Sequence, residues 1–346
     1  MSRYEANLFS TAPMLDWTDC HCRYFWRLLT KKSLLYTEMV TTGAVLFSTR
    51  DYLEYNEGEN PVALQLGGSV PGDLAKCAAK AQHYGYNEIN LNVGCPSDRV
   101  QNGGFGASLM ANADLVADCF QAMADVSSVP VTVKCRIGID NLDSYEFLCN
   151  FISRVSAAGC DHFIIHARKA WLSGLSPREN RDIPPLDYPR VYQIKKDFPH
   201  LFISINGGIT SLDEVREHLK HTDGVMLGRA VYQNPFLLSR IDREIFGDET
   251  SPEITRDEVM EKLIIYAEQL LKQGGRLSYL TRHILDLYTG LPGARTFRRI
   301  LSQEAIRPGA GTEVLRKAWN SVLDAGIRQQ ETEEQWIRNF GKDADR

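Results

Sequence analysis

Residues Ile89–Val100 read Ile-Asn-Leu-Asn-Val-Gly-Cys-Pro-Ser-Asp-Arg-Val, and the prediction of the fold starts from this stretch. Its first five residues alternate apolar and polar side chains, which is typical of a β-strand. Gly94 then permits a backbone turn, and Pro96 interrupts any continuation of the strand. Cys95 is therefore expected where a strand ends, followed by a polar, glycine-bearing loop (97–106) that suits a substrate-facing position. A lone cysteine is more often a small buried residue than a reactive one, so the rest of the chain has to decide between the two.

Short apolar strands alternate with helical segments along the first two thirds of the chain. The predicted strands are Leu8–Met14, Leu34–Met39, Val62–Leu66, Ile89–Val93, Pro130–Arg136, His162–Ala167, Leu201–Asn206 and Gly224–Leu227. Eight such strands over about 230 residues match an α/β fold of the (β/α)8 TIM barrel type. A doubly wound sheet is the alternative, but it usually has fewer strands and a glycine fingerprint after the first, where this chain has Pro13-Met14-Leu15.

The pattern changes after Phe246, where a polar linker over Asp248–Pro252 is followed by helical periodicity without strand signals. The predicted helices there are Thr255–Gln273, Leu277–Thr289, Ala294–Glu304, Glu313–Ala325 and Glu331–Phe340. We therefore predict a TIM-barrel catalytic domain over residues 1–246 and a small all-α helical domain over residues 247–346.

The composition of the 346 residues is that of an ordinary globular protein, with a formal net charge of −5. This charge argues against a generally cationic nucleic-acid binder, so any RNA contact must use a local basic surface. The chain lacks the pattern of a signal peptide and any apolar run of membrane-spanning length, so a cytoplasmic protein without a membrane partner is expected. Eight scattered cysteines do not form a disulfide framework. Cys20-His21-Cys22 lacks a second ligand pair at zinc spacing, and no metal site is predicted.

In a barrel, active-site residues gather where strands end and the following loops begin. These positions hold Pro13-Met14, Glu38-Met39, Gln65, Asn92 with Cys95, Lys134, His166 with Arg168, Asn206-Gly207-Gly208 and Gly228-Arg229. The glycines follow strands seven and eight, where barrels commonly bind phosphate, and glycine lets backbone N–H groups approach an oxyanion. Each residue alone has a structural explanation, but their common placement at one rim favours a site for a cofactor monophosphate.

Eight segments of this chain resemble, in the same order, those of the flavin-dependent tRNA-dihydrouridine synthases. They are Ala12–Thr18, Glu38–Val40, Gln65–Gly68, Asn90–Pro96, Val133-Lys134, Ile164–Arg168, Asn206–Gly208 and Gly228-Arg229. The run from His166 to Pro177, followed by Glu179-Asn180-Arg181, is similar to the bacterial A-type subfamily.

The resemblance implies a bound FMN that NADPH reduces as a transient hydride donor. It also implies reduction of the C5–C6 double bond of D-loop uridines 20 and 20a in tRNA. The FMN-binding residues would be Pro13, Met14, Leu15, Gln65, Lys134, His166, Asn206, Gly207, Gly208, Gly228 and Arg229. Cys95 would be the general acid that supplies a proton to C5 of the uracil.

The target uridine has to leave the tRNA fold to reach a barrel mouth. Asn92 is expected to steady the uracil edge. Arg178 and Arg181, in the long loop after strand six, and Arg295 and Arg298, in the helical domain, are expected to position the tRNA. We expect the protein to act as a monomer.

Two other functions are compatible with parts of the sequence. An FMN barrel that reduces a free pyrimidine would explain the flavin site but would leave the helical domain and its arginines without a role. A non-catalytic tRNA-binding folding factor with a vestigial flavin site would bind RNA without turnover.

Overall fold

Eight parallel strands form one sheet in the computed structural model, which describes residues 4–340. They are β1 (Phe9–Thr11), β2 (Leu35–Thr41), β3 (Val62–Gly67), β4 (Glu88–Val93), β5 (Val131–Arg136), β6 (His162–His166), β7 (Phe202–Asn206) and β8 (Gly224–Leu227). Strands β2 to β8 pair in chain order, and β1 pairs with β8. Ser10 forms a parallel bridge with Leu34, just before β2, and this contact closes the sheet into a barrel. The predicted (β/α)8 barrel is confirmed.

The helices that accompany the strands begin at side-chain caps in several places. These helices are α1 (Cys20–Leu29), α2 (Thr42–Phe47), α3 (Pro71–Ala81), α4 (Asp98–Asn102), α5 (Ala113–Ala124), α6 (Tyr145–Ala157), α7 (Tyr188–Asp197), α8 (Leu212–His218), α9 (Arg229–Gln233) and α10 (Ile241–Glu244). The Asp19 carboxylate accepts a hydrogen bond from the Cys22 N–H at the start of α1, and the Ser144 hydroxyl accepts one from the Phe147 N–H at the start of α6. The sequence pattern did not predict α4, a five-residue helix inside a polar loop, nor α7, α9 and α10.

The alternation in β4 places polar side chains inside the barrel, since successive side chains of a strand point to opposite faces. Asn90 is fully buried and lies between Gln65, whose Nε2 is 2.8 Å from Asn90 Oδ1, and Thr132, whose Oγ1 is 2.8 Å from Asn90 Nδ2. At the other end of the strand, Glu88 accepts hydrogen bonds from Asn7 Nδ2 at 2.8 Å and from Thr132 Oγ1 at 2.7 Å. A ladder of hydrogen bonds therefore crosses the barrel interior and fixes how these strand ends lie against one another.

The chain divides into two compact units. The first contains the barrel and consists of residues 1–231 and 240–251, and the second contains residues 232–239 and the chain from Pro252 onward. This division differs from a boundary at residue 246, because residues 232–239 contact the helices of the second unit. The Arg256 guanidinium lies 3.7 Å from the centre of the Phe236 ring, and the Tyr232 hydroxyl is 3.0 Å from His283 Nδ1.

The helices of the second unit are α11 (Arg256–Lys272), α12 (Leu277–Ile284), α13 (Ala294–Glu304) and α14 (Glu313–Phe340). The prediction of two helices over Glu313–Ala325 and Glu331–Phe340 is wrong, because the chain forms one continuous helix there. Gly326 in its middle costs only about 1 kcal/mol relative to alanine, and no proline interrupts the segment. None of the helices within residues 4–340 combines the length and apolar character that a membrane span requires.

Candidate active site

The carboxyl ends of strands β3 to β8 bring most of the predicted site residues together. Register pairs Asn92 with Lys134 and pairs His166 with Asn206 across adjacent strands. One side-chain contact connects strands that are not neighbours, because Lys134 Nζ on β5 is 3.1 Å from Asn206 Oδ1 on β7. Asn206 Nδ2 in turn is 2.8 Å from the Met226 carbonyl oxygen on the adjacent β8. Gln65 joins the same rim, because its Oε1 accepts a hydrogen bond from Asn92 Nδ2 at 2.8 Å.

Cys95 lies in the first turn after β4, partly exposed, with its Sγ 3.6 Å from Ser97 Oγ. The side chain of Asn92 shapes this turn, because its Oδ1 accepts hydrogen bonds from the N–H groups of Gly94 at 3.1 Å and Cys95 at 3.0 Å. Gly106 packs against the backbone of this turn. Its φ is +75°, and a Cβ there would lie 2.6 Å from the Cys95 carbonyl oxygen, so only glycine fits. The thiol is thus presented from a backbone that is held at both ends.

Positive charge accumulates beside this turn. Burial, together with the neighbouring Arg136 guanidinium, lowers the pKa of Lys134 to about 8. Burial lowers the pKa of Arg136 itself to about 10. Burial first, and then the charges of Arg136 and Lys134, hold the pKa of His166 well below its ordinary value, so this imidazole is neutral at pH 7. Its buried Nδ1 has no hydrogen-bond partner among residues 4–340.

Sequence reasoning missed Arg136, although its position at the end of β5 could have indicated it. Its guanidinium is buried and donates from Nε to the Gly94 carbonyl at 2.8 Å. Its Nη1 lies 3.1 Å from the carbonyl oxygens of Lys169 and Asn180, which belong to the long loop after β6. Arg136 therefore joins the turn that carries Cys95 to that loop.

Two glycines after β7 lie so close to neighbouring side chains that another residue would not fit. Gly207 and Gly208 have φ of +113° and +74°, which disfavours other residues. A Cβ at Gly207 would lie 3.1 Å from the His166 ring, and one at Gly208 would lie 2.5 Å from Leu186 Cδ1. Only glycine therefore fits at both positions, and the backbone at Gly207 lies directly against the neutral imidazole of His166.

Arg229, the first residue of α9, already has an anionic partner in the loop after β6. Its Nη2 is 2.7 Å from Asp182 Oδ1 and 3.3 Å from the Arg181 carbonyl oxygen. The same loop bonds to Arg168, whose Nη1 contacts the Pro184 carbonyl while its buried Nε has no partner among the described residues. Gly228 adds no steric demand, since a Cβ there would meet its neighbours at ordinary contact distances.

The loop after β1 contributes the predicted residues Pro13, Met14 and Leu15. Met14 packs against the apolar side chains of the barrel interior, and its N–H donates to Thr18 Oγ1 at 3.0 Å. Leu15 is 63% exposed, which makes it one of the large apolar side chains left open to solvent at this end of the barrel. The rim as a whole therefore combines an apolar edge, a cationic side and glycine backbone, which suits an aromatic ligand that carries a phosphate.

The predicted tRNA-contacting arginines fall in both units. Arg178 and Arg181 are exposed in the loop after β6, whereas Arg295 and Arg298 are exposed on α13 of the second unit. Arg298 Nη2 lies 2.6 Å from Asp286 Oδ1, so its charge is partly neutralised. Within the part of the chain that the structure describes, Arg295 has no ion-pair partner.

The opposite end of the barrel, at the amino ends of the strands, has a cavity of about 470 Å³. It is lined among others by Asn7, Pro61, Glu88 and Pro130, and it lies far from Cys95. Among the described residues, no three His, Cys, Asp or Glu side chains are grouped in a way that could hold a metal ion.

The chain matches one protein family and is similar to several known proteins. A family described as "Dihydrouridine synthase (Dus)" matches residues 10–322. The tRNA-dihydrouridine(20/20a) synthase of Salmonella typhi is 63% identical over 324 residues, which cover 93% of this chain and 97% of that protein. The protein of the same name from Escherichia coli (strain K12) is 63% identical over 317 residues, covering 91% of this chain and 92% of its own. Among solved structures, a 2-naphthoyl-CoA reductase in complex with 2-naphthoyl-CoA aligns with a TM-score of 0.52 at 10% identity, over 68% of this chain and 49% of that one, which is a likeness of fold alone.

Proposed function

The chain belongs to the dihydrouridine synthase family, and on that premise we propose that it is a tRNA-dihydrouridine(20/20a) synthase that uses FMN and NADPH. It reduces the C5–C6 double bond of D-loop uridines in tRNA. The observation that carries this proposal is the position of Cys95, a thiol on a fixed turn beside the Lys134–Asn206 pair in a barrel mouth.

The residues at the rim fit FMN. Lys134 and Arg136 are neighbouring buried cations, and the charge of Arg136 lowers the pKa of Lys134. Among the described residues, no carboxylate contributes to the pKa shift of either cation. An anionic cofactor would therefore relieve the repulsion between the two cations. The partnerless Nδ1 of His166 and Nε of Arg168 offer further polar contacts. The group would be held by Pro13, Met14, Leu15, Gln65, Lys134, His166, Asn206, Gly207, Gly208, Gly228 and Arg229. When bound and reduced, FMN supplies the hydride that adds to C6 of the uracil ring.

Cys95 then completes the reduction as a general acid. Addition of hydride at C6 leaves enolate-like charge on the uracil, and C5 needs a proton. The Cys95 thiol donates that proton and becomes a thiolate, which solvent reprotonates. The Asn92 Oδ1 accepts a hydrogen bond from the turn, and one N–H of its Nδ2 donates to Gln65 Oε1. The second N–H of Nδ2 is then available to the uracil edge.

Recognition of tRNA relies on local basic surfaces, because the whole chain carries a net charge of −5. Arg178 and Arg181 would contact the backbone of the flipped uridine's neighbours, and Arg295 and Arg298 would contact a second part of the tRNA. The helical domain, residues 247–346, is thus proposed as the tRNA-binding domain of a monomeric, cytoplasmic enzyme.

Nucleoside analysis of a defined tRNA tests the function directly. Purified protein is incubated with FMN, NADPH and unmodified tRNA transcript, and dihydrouridine is located by mass spectrometry of nuclease fragments. Dihydrouridine at positions 20 and 20a is expected, and none is expected when NADPH is omitted. Reduction of free uridine or uracil instead would favour the small-pyrimidine oxidoreductase, and tRNA binding without any product would favour the folding factor.

The ion pair of Arg229 with Asp182 allows a second test, directed at the phosphate site. Arg229→Ala should weaken FMN retention, because a phosphate loses a charge-assisted hydrogen bond. Asp182→Asn should strengthen it, since the competing carboxylate is removed. FMN content after dialysis and the Kd for added FMN measure both effects. Full flavin occupancy in Arg229→Ala would show that this arginine does not hold the phosphate.

A further inference from the structure

The backbone around Cys95 is held by more than Asn92. The Gly94 carbonyl accepts from Arg136 Nε at 2.8 Å, and the Cys95 carbonyl accepts from the Ala107 N–H at 2.9 Å. The next carbonyl, that of Pro96, accepts from Gln101 Nε2 at 2.8 Å. Each backbone oxygen from Gly94 to Pro96 thus has a donor of its own.

Gln101 has a second partner on a different segment. It lies on α4 and is half-buried, and its Nε2 also lies 2.7 Å from the carbonyl oxygen of Leu172, in the loop after β6. A primary amide has two N–H groups, and here one is used on each carbonyl. Gln101 therefore ties the turn that carries Cys95 to the loop that carries Arg178 and Arg181.

The segment around Leu172, to which Gln101 bonds, is itself held by hydrogen bonds. The Leu172 N–H donates to Asp140 Oδ1 at 2.8 Å, and the Trp171 N–H donates to the Oδ1 of the buried Asn180 at 2.8 Å. Because the loop around Leu172 is held in place, the hydrogen bond from Gln101 fixes the turn that carries Cys95 relative to that loop. A bond to a loose loop would not fix it.

We propose that Gln101 is a positioning residue for the reduction of tRNA: it holds the Cys95 thiol in register with the loop that binds the substrate. This inference rests on the proposed function. Proton donation requires the thiol within hydrogen-bond reach of the uracil C5, and a displacement of about 1 Å can cost about 100-fold in rate. The predicted effect is therefore on the step in which tRNA oxidises the reduced flavin, and not on flavin binding or on its reduction by NADPH.

Three substitutions separate the hydrogen bonds from the bulk of the side chain. Gln101→Ala removes both donors, Gln101→Glu keeps the shape but offers acceptors to two carbonyls, and Gln101→Lys restores N–H donors on a flexible stem. Gln193→Ala is the matched control, because that exposed amide on α7 bonds, among the described residues, only to the neighbouring carboxylate of Asp197 at 2.7 Å.

Single-turnover reoxidation of the reduced flavin by unmodified tRNA is the first measurement. At saturating tRNA the rate should fall about 10- to 100-fold in Gln101→Ala and Gln101→Glu, stay near wild type in Gln101→Lys and not change in Gln193→Ala. FMN content and NADPH-driven reduction should be the same in all five proteins, wild type included. A wild-type rate in both Gln101→Ala and Gln101→Glu overturns the proposal.

Alkylation of Cys95 by iodoacetamide, followed by peptide mass spectrometry, is the second measurement, and it requires no turnover. The labelling rate should rise several-fold in Gln101→Ala and Gln101→Glu, because the turn is released, and fall back in Gln101→Lys. If labelling changes only together with loss of FMN and a fall in the melting temperature, Gln101 has a general folding role and the proposal is wrong. If tRNA does not reoxidise the reduced flavin of the wild-type protein, the proposed function is wrong. The labelling comparison then still tests whether Gln101 holds the turn that carries Cys95.

Discussion

Cys95 lies at a strand-to-loop turn with its backbone fixed on both sides, so a change in the side chain alone is expected to leave the turn in place. Cys95→Ala should keep FMN, its reduction by NADPH and the affinity for tRNA. Reoxidation of the reduced flavin by tRNA should slow by about 10²–10⁴-fold, which is what a positioned acid contributes. Serine, a far weaker acid, should restore little. A wild-type rate in single-turnover reoxidation of Cys95→Ala would return this thiol to the role of a small half-buried residue.

Lys134 provides a pH-dependent test of the flavin site. Its pKa in the folded protein is about 8, lowered from its ordinary value mainly by burial, so the lysine loses its charge as pH rises through 8. Because an anionic flavin favours the protonated lysine, the affinity for FMN should fall above pH 8, by up to about tenfold per pH unit.

The measurement is the Kd of the flavin-free protein for FMN between about pH 7 and pH 9.5, a range that spans this titration. Lys134→Met should bind FMN more weakly and without this pH dependence, whereas Lys220→Met, which removes an exposed lysine beyond α8, should behave like wild type. A flat profile in the wild type would mean that Lys134 does not face the flavin.

Position at a strand end was enough to predict which residues meet at the barrel mouth. Asn92, Lys134, His166 and Asn206 each lie at or near the end of a buried parallel strand, and the register of the sheet then places them side by side. Arg136 lies at such an end too and was overlooked, whereas Asp182 and Gln101 lie in the connections between strands and could not be assigned in this way. The contact of Gln101 with Leu172 spans 71 residues, and that of Asp182 with Arg229 likewise joins distant segments. Both contacts depend on the conformation of the loop after β6, which carries no periodic signal.

Helix α1 is held to the barrel by a buried ion pair. Arg23 Nε lies 2.7 Å from Glu59 Oε2, and both side chains are at most 5% exposed. Removal of one partner leaves an uncompensated buried charge, so Glu59→Ala should lower the free energy of unfolding by about 3–5 kcal/mol.

The control is the exposed pair between Lys76 and Asp73 on α3, where Asp73→Ala should cost less than about 1 kcal/mol. Urea-induced unfolding at one fixed FMN concentration compares the two variants. Equal losses in both would mean that the surroundings of Glu59 adapt to the substitution.

Strands were easier to predict than helices in this chain. The buried strands are short apolar runs, so seven of the eight predicted strands have limits within two residues of the observed ones. The exception is β1, which ends at Thr11 and not at Met14. Helix α7 was missed because it begins Tyr188-Pro189-Arg190 directly after a proline-bearing loop. Its cap, the Asp187 side chain that accepts from the Arg190 N–H at 3.1 Å, is a signal that could have found it.

The distribution of charge over the whole molecule leads to a test of tRNA binding. The double variants Arg178→Ala/Arg181→Ala and Arg295→Ala/Arg298→Ala should each raise the tRNA KM. Each should also reduce the slope of log affinity against log salt by about 1 for every phosphate that the removed arginines neutralise. Because Asp286 already neutralises part of Arg298, the single change Arg295→Ala should account for most of the effect on α13.

Arg154→Ala is the charge-matched control for the single variant Arg295→Ala, since Arg154 lies in the last turn of α6, which leads towards the amino end of β6. NADPH-driven flavin reduction should be unchanged throughout. An unaltered KM and salt slope in both double variants would remove these arginines from the tRNA interface.

The closure of the barrel also determines when the first strand can pair during synthesis of the chain. Phe9 of β1 pairs with Val225 of β8, about 200 residues further on. At about 5–20 residues per second, ribosomes need roughly 10 to 40 seconds to make that interval. During this time β1 has no β8 to pair with and the edge of the growing sheet stays open. Until the eighth strand has left the ribosome, this edge is open to pairing with other chains.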